Sequence, residues 1–388
     1  MKVLLTTCGG WYLPHTAKAF ENRDALAALW VTVSNRVGIS PARHRRCWPH
    51  FLATIPFFKY TPQIVGEKAF YAFFPLWKYW QERQLWPDFQ VVQAIMGFAT
   101  EGFDRADKVG ALKVVDCQNS HPTSYYGYWQ RECDLWCPGE RVPIPRWMFA
   151  RMNRELQRAD LVLCPSEFVR DTMVLNGIPA EKCFINPFGV DTSIFKPRPA
   201  PPATPRFICV GTICVRKGHQ YLFRAFEQVR AKMPGAELIC VGDVKCDFRQ
   251  EWPKWAGRFT HHRSLPHARL SELLQTCTAF VLPSCEEGFA RVLSEAMGCG
   301  LPIIASYESG ATTLVEDGVE GLIVSRQPEA IAAAMLRLAQ EVELNRQMGA
   351  AAYKRGGVRN TWQDYGDRLL AEYQSRLDQR TFVGSPGH

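Results

Sequence analysis

Two glutamates, Glu287 and Glu295, stand eight positions apart in the stretch CEEGFARVLSEAMGCGLP (285–302). Gly288 follows the first, and the apolar spacing beyond it predicts a helix from Phe289 to Met297. The start of such a helix would offer the N–H groups of Phe289, Ala290, Arg291 and Val292 to an anion such as a diphosphate, with the helix dipole in support. A carboxylate does the opposite, because it only accepts hydrogen bonds and suits vicinal hydroxyls. Glu287 is therefore expected to hold a sugar ring and Glu295 a ribose diol, with the phosphates between them. On spacing alone the pair also reads as a helix-capping residue and a solvated helix acid.

A second stretch, GTICVRKGHQ (211–220), puts Arg216 and Lys217 in the turn between an apolar run and a helical pattern. Two adjacent cations there can neutralise a leaving pyrophosphate, and they also read as a solvated loop pair. Near the start, TTCGGWYLP places Gly9 and Gly10 after the first apolar run, where small residues let a ligand lie against backbone. Trp11 and Tyr12, next along, are candidate acceptor-binding residues, and a simple turn is the competing reading. His121, in LKVVDCQNSHPTSYYGYW, follows another apolar run and is a candidate hydrogen-bond donor or base. The sequence has no GxGxxG, so a dinucleotide redox enzyme is disfavoured. It has no GxxxxGK[ST] and no GxSxG, and no Asp-x-Asp triplet marks a metal-bridged diphosphate site.

These residues need strands and helices to hold them. Candidate strands are 2–7, 28–33, 89–95, 112–117, 161–165 and 183–187, then 206–211, 236–242, 279–283, 302–306 and 321–325. Helical spacing runs through 146–159, 219–233, 268–277, 328–342 and 360–377. Alternation of the two predicts βαβ units and parallel sheets. The proline-rich run KPRPAPPATPRF breaks the pattern, since proline suits neither a sheet interior nor a helix interior. The expected organisation is a first domain over 1–195, a linker over 196–206, a second domain over 207–358 and a final helical segment over 359–388. Two such domains leave a cleft between the carboxyl ends of their strands, where ligands bind.

The 388 residues carry a net charge of +8. Residues 1–80 hold ten Lys or Arg against three acids, nearly all of that excess. The same region is rich in rings: RHRRCWPHFLATIPFFKY, then KAFYAFFPLWKYW. Cations interleaved with aromatics suit an anionic membrane surface, reached through residues 36–80. An insertion packed on its own domain is the plainer reading. No nucleic-acid fold signature accompanies the charge, so nucleic acid is not an expected partner. No apolar stretch reaches 18 residues, and KVLLTTC reads as a first buried strand rather than a signal peptide. Most of the fourteen cysteines sit in apolar runs and read as reduced, buried thiols. Cys133 and Cys137 are the only close pair, with a zinc or redox role the minor reading.

Taken together, these stretches resemble the large retaining glycosyltransferase family four, the group 1 glycosyltransferases. VLPSCEEGFARVLSEAMGCGLPIIAS resembles that family's acid–Gly–Phe–Gly motif with its E-x7-E spacing. FICVGTICVRKGHQYLFRAF is similar to its phosphate-binding strand–loop–helix. ADLVLCPSEFVRDTM, INPFGVDTSIFKP and SGATTLVEDGVEGLIV resemble further family segments, so the likeness is good over 155–345 and loose before it. It implies an α/β protein of GT-B fold, two Rossmann-like doubly wound parallel-sheet domains facing each other across a cleft. It implies donor contacts from Gly10, Thr212, Arg216, Lys217, Glu287, Gly288, Phe289, Ala290, Arg291, Val292 and Glu295. It places His121 near the sugar and sends the final helix back onto the first domain. Thr212 stands where the family often has Arg, and Ala290 replaces the second Gly of Gly-Phe-Gly.

The expected activity is retaining transfer of a sugar from a UDP- or GDP-linked donor to an acceptor hydroxyl, in polysaccharide, glycolipid or lipopolysaccharide-type synthesis. His121, Glu287 and Lys217 are the expected catalytic residues. No cofactor or metal is expected; the partners are the nucleotide sugar and a sugar or lipid-linked acceptor. The expected location is the cytoplasm, peripheral to the inner face of the cell membrane. A nucleotide-sugar epimerase of the same architecture and a non-catalytic sugar-nucleotide-binding protein are the alternatives.

Overall fold

The computed structural model describes residues 1–10, 12–32, 37–60, 63–142 and 144–383. Trp11 and Arg36 lie outside the described residues. The first sheet contains β1 (Val3–Thr6), β2 (Leu26–Val31), β3 (His44–Arg46), β4 (Val91–Ile95), β5 (Leu112–Asp116), β6 (Leu161–Cys164) and β7 (Cys183–Ile185). The second contains β8 (Arg206–Val210), β9 (Glu237–Val241), β10 (Thr260–His262), β11 (Ala279–Leu282), β12 (Ile303–Ala305) and β13 (Gly321–Ile323). All pairings are parallel. The central strands are buried on both faces, which is why they read as unbroken apolar runs.

The strand orders are β3-β2-β1-β4-β5-β6-β7 and β10-β9-β8-β11-β12-β13. In each sheet the chain winds outward to one edge and then crosses to build the other half. The order therefore reverses between β1 and β4 and between β8 and β11. Loops leaving the carboxyl ends at such a reversal diverge and open a crevice.

The first domain's helices are α1 (Leu13–Glu21), α2 (Trp48–Tyr60), α3 (Gln63–Ala72), α4 (Phe74–Glu82), α5 (Thr100–Val109), α6 (Pro122–Trp136), α7 (Arg146–Arg158) and α8 (Glu167–Leu175). The second domain has α9 (His219–Lys232), α10 (His267–Gln275), α11 (Arg291–Gly298), α12 (Pro328–Gln340) and α13 (Val342–Ala352). Then α14 (Trp362–Val383) returns to the first domain, where Tyr373 donates to Gln93 at 2.9 Å and Asp367 pairs with Arg23 at 2.7 Å. The linker is tied to the second domain by Arg198, whose guanidinium donates to the Thr278 carbonyl and the Asn345 side chain.

Three features depart from the sequence reading. β3 and β10 are short polar edge strands, HRR and THH, with no apolar run to reveal them. α11 begins at Arg291, two residues later than expected. Phe289 instead packs its ring on Phe188 of the first domain, and Ala290 takes an extended backbone as the residue before the helix. Phe289 and Ala290 thus belong to the turn and not to the helix start.

The insertion between β2 and β4 is part packed and part exposed. Trp77 of α4 is fully buried, and Gln81 donates to Thr6 of β1 at 2.6 Å. On α2, by contrast, Trp48, Leu52 and Ile55 are exposed at helical spacing, with Trp48 52 % and Leu52 60 % accessible. No described helix is long and apolar enough to cross a membrane.

Polar contacts join the domains. Glu132 of α6 is buried and accepts from Gln220 at 3.1 Å, Tyr221 at 2.9 Å and Arg326 at 2.7 Å, all in the second domain. Trp129 donates to Asp247 at 3.3 Å, and Tyr307 to Asp171 at 2.5 Å.

Candidate functional site

The reversal between β8 and β11 sets two loops side by side. The β8–α9 loop carries Lys217 and the β11–α11 loop carries Glu287. Lys217 Nζ lies 2.6 Å from Glu287 Oε2. Two glycines make this fit. Gly218 has φ +74° and would place a Cβ 1.9 Å from the Pro283 carbonyl oxygen. Gly288 would place one 1.8 Å from the carbonyl oxygen of Gln118, across the domain boundary. Ser166 of the first domain donates to the Gly288 carbonyl at 2.5 Å, closing the seam.

Arg216, next to Lys217, makes more contacts with the neighbouring acids. Its Nη1 donates to the Glu286 carbonyl at 2.6 Å and faces the carboxylates of Glu286 at 3.0 Å and Glu287 at 3.2 Å. Expected from sequence to meet the diphosphate, it lines the cleft while its Nη1 pairs with two acids. Burial pushes the Glu287 carboxyl up, but Lys217 and Arg216 outweigh it and hold the group below the usual carboxylate range. Glu286 is fully buried, and its other partners are the N–H and hydroxyl of Ser120, at 3.1 and 2.9 Å, from the first domain. Burial raises its carboxyl despite Arg216.

These loops line a cleft of about 630 Å³ between the domains. Thr212, Arg216, Lys217, Glu287, Phe289, Ala290, Arg291, Val292 and Glu295 line it from the second domain, and Tyr12, Gln118 and Asn119 from the first. The first turn of α11 faces this space with no side chain capping it. Glu295 is buried one side of that turn; desolvation raises its carboxyl, opposed by Arg291 and then His267. Tyr12 is buried, stacks with Trp362, packs at a tilt on Phe188, and donates its hydroxyl to Asp116. Burial raises Asp116 to about 7, against the hydrogen bonds from Tyr12 and Gln93.

Other expected residues sit elsewhere. Gly10, Gly288 and His121 are not among the described residues lining the cleft. Gly288 acts at the domain contact. His121 is buried at the start of α6, where its Nδ1 accepts from the Thr123 N–H at 3.3 Å. Burial lowers its imidazole to about 4, so it is neutral near pH 7. Trp11 lies outside the described residues. Cys133 and Cys137 are buried together at the end of α6, and no group of three His, Cys, Asp or Glu among the described residues could hold a metal ion.

Sequence reading missed Glu286, Gln118, Asn119, Phe188, Asp243 and Arg263, all but the first of which line the cleft. Asp243 had a usable signal, since it follows a strand and a glycine in LICVGD. It pairs with Arg263 at 2.8 Å on the exposed rim. Glu286 had no such signal, because only the fold turns one of two adjacent acids inward.

His219, the first residue of α9, is fully buried and is lowered by desolvation to about 3. The folded chain keeps it neutral while the unfolded chain protonates it below about pH 6.5. Stability is therefore lost as pH falls through that value. Between pH 6.5 and 5 this group alone costs about 2 kcal/mol. His219→Gln is expected to flatten the pH dependence of urea unfolding by that amount, and an unchanged slope would contradict it.

The cleft can therefore hold a ligand with a pyrophosphate at its centre and hydroxylated rings at both ends. Lys217 keeps two further protons to donate while paired with Glu287. The α11 terminus adds N–H groups, and Glu295 supplies a buried acceptor.

Two doubly wound domains with this cleft define a GT-B protein. Over its full length the chain superposes on a sucrose-phosphate synthase from Thermosynechococcus elongatus with TM-score 0.74 and 19 % identity, covering 99 % of this chain and 100 % of that one. Anabaena HepE in complex with UDP and glucose gives TM-score 0.68 and 17 % identity, with 97 % and 100 % covered. These likenesses establish the fold. Residues 204–341 match the family model described as glycosyl transferases group 1. The D-inositol 3-phosphate glycosyltransferase of Segniliparus rotundus is 29 % identical over 215 residues, 51 % of this chain and 48 % of the relative. The chain spans about half the length of the curated relatives it matches. Residues 204–341 are thus similar to the group 1 glycosyltransferases.

Proposed function

We propose that the chain transfers a sugar from a nucleotide-diphosphate sugar, UDP- or GDP-linked, to an acceptor hydroxyl with retention at the anomeric carbon. The observation that carries this is the Lys217–Glu287 pair at 2.6 Å, facing the cleft beside the uncapped start of α11. Lys217 and the helix N–H groups stabilise the leaving diphosphate as its charge develops. Glu287 orients the sugar and Glu295 the ribose. The acceptor enters from the first-domain side, past Tyr12 and Asn119, and attacks the face from which the diphosphate departs. The protein's own cations supply the positive charge, so no metal takes part in this reading. The HepE structure, which holds UDP and glucose in the same fold, supports a nucleotide-sugar donor. A panel of UDP- and GDP-sugars is expected to raise the melting temperature for one donor and to yield transfer with it. Isomerised sugar from donor alone, or no shift with any donor, would overturn the reading.

The exposed apolar stripe of α2 supports a peripheral membrane role. Arg45, Lys68 and Lys78 are exposed in the same insertion. Cations beside rings suit anionic headgroups, about 1 kcal/mol for each Lys or Arg near the surface. The chain is expected to float with vesicles containing phosphatidylserine or phosphatidylglycerol and to stay behind with phosphatidylcholine alone. Equal recovery with both would remove the membrane role.

A further inference from the structure

A second cavity, of about 360 Å³, adjoins the cleft. The two share Gln118 and Asn119, on the loop after β5. Its walls are Phe58, Phe70, Phe98, Trp129, Ile144 and Met152. They come from the insertion helices α2 and α3 and from the first-domain segments facing them. The second domain reaches it through Lys245, which pairs with Glu67 of α3 at 3.0 Å. The chamber is thus completed only when the domains meet.

We propose that this chamber holds the aliphatic chain of a lipid-type alcohol whose hydroxyl is the acceptor. The inference rests on the transferase reading above and names the class of acceptor. Three observations carry it. Most of the lining is apolar or aromatic, the polar groups being Gln118 and Asn119 at the cleft end, the hydroxyls of Tyr71 and Tyr125, and Glu67 and Lys245 neutralised as a pair, so burying a sugar ring among Phe58, Phe70, Phe98, Ile144 and Met152 would cost it hydrogen bonds. The shared Asn119 puts the inner end of the chamber at the donor cleft. Phe58 belongs to both the chamber wall and the exposed surface of α2, at 48 % accessible, so the chamber opens beside the apolar stripe of that helix. A chain anchored in a bilayer could enter by that side and present its head to the cleft. The volume lies at the lower end of the roughly 300–1,000 Å³ of ligand pockets, enough for the head-proximal part of a chain.

The test is calorimetric titration of the full chain, without donor, by straight-chain alcohols from hexanol to decanol. Kd is expected to fall about fourfold for each added methylene, the effect of burying that group. Ile144→Trp, which fills the chamber, is expected to weaken decanol at least tenfold; Met152→Phe serves the same purpose if the first variant does not fold. Leu52→Ser, on the outer stripe, is expected to leave decanol binding unchanged. Retained shifts in melting temperature with UDP or GDP show that the variants are folded. A flat chain-length series overturns the proposal, as does equal loss in the Leu52 variant, which would put the chain on the outer face. Tighter binding of 2-naphthol than of decanol also overturns it, in favour of an aromatic acceptor. Because no donor is present, failure to bind any nucleotide sugar would sink the transferase reading separately.

Discussion

Lys217→Ala is expected to lower turnover at least a hundredfold while the melting temperature stays within a few degrees. The ammonium lies in the cleft on the flank where a leaving diphosphate would sit, and one such donor is worth about 3–4 kcal/mol of barrier. The fold should tolerate the loss. Breaking a buried pair is costly when it strands a charge, but Glu287 would keep Arg216 at 3.2 Å. Glu287→Ala should cost as much in turnover for the complementary reason: the sugar loses its acceptor, and Lys217 is left without a carboxylate at hydrogen-bond distance. The check is kcat with the donor found by screening, beside thermal unfolding of each variant. Near-wild-type rates in either would remove the cleft pair from the chemistry.

Gly288→Ala should separate donor binding from turnover. A methyl at this position would lie 1.8 Å from the Gln118 carbonyl oxygen and 2.5 Å from its carbon, closer than packed atoms allow. Backbone has no rotamer with which to yield, so the two domains must part locally. Overpacking of this kind costs about 1–3 kcal/mol, a factor of roughly 5 to 150 in the population of the joined state. Lys217, Glu287 and Glu295 all belong to the second domain, so the affinity for UDP or GDP should stay within a fewfold of the native value. The expected signature is a fall in kcat with little change in nucleotide Kd, together with a larger radius of gyration in solution scattering. Wild-type kcat in this variant would mean that the contact between Gly288 and Gln118 is not needed for reaction.

The legibility of the fold follows from where each strand sits. Parallel strands in the middle of a sheet are covered by helices on both sides, so LLT, LICV and AFVL appear as plain apolar runs. β3 and β10 lie at edges, where one side meets solvent and polar residues are tolerated, so HRR and THH carried no mark. The helix carrying Glu295 was legible from its periodicity, but its first residue was not. Phe289 is apolar and fits the helical stripe, yet its ring leaves the helix to meet Phe188 in the other domain. A long-range contact of that kind has no local signature.

The sequence by itself determined which residue types stand at the turns: two acids eight positions apart, a cation before a helix, and glycines between them. Local rules suffice there, because turn geometry and helix period act over a few residues. Only the tertiary structure decided how these charges pair around the cleft. The strand-order reversal brings Lys217 to Glu287, and the Ser120 loop draws Glu286 inward and Arg216 after it. It also decided that α4 packs inside while α2 keeps an exposed stripe above an apolar chamber. Those choices depend on residues 70 to 166 positions apart competing to bury surface and pair charge, and neighbouring residues hold no record of that competition.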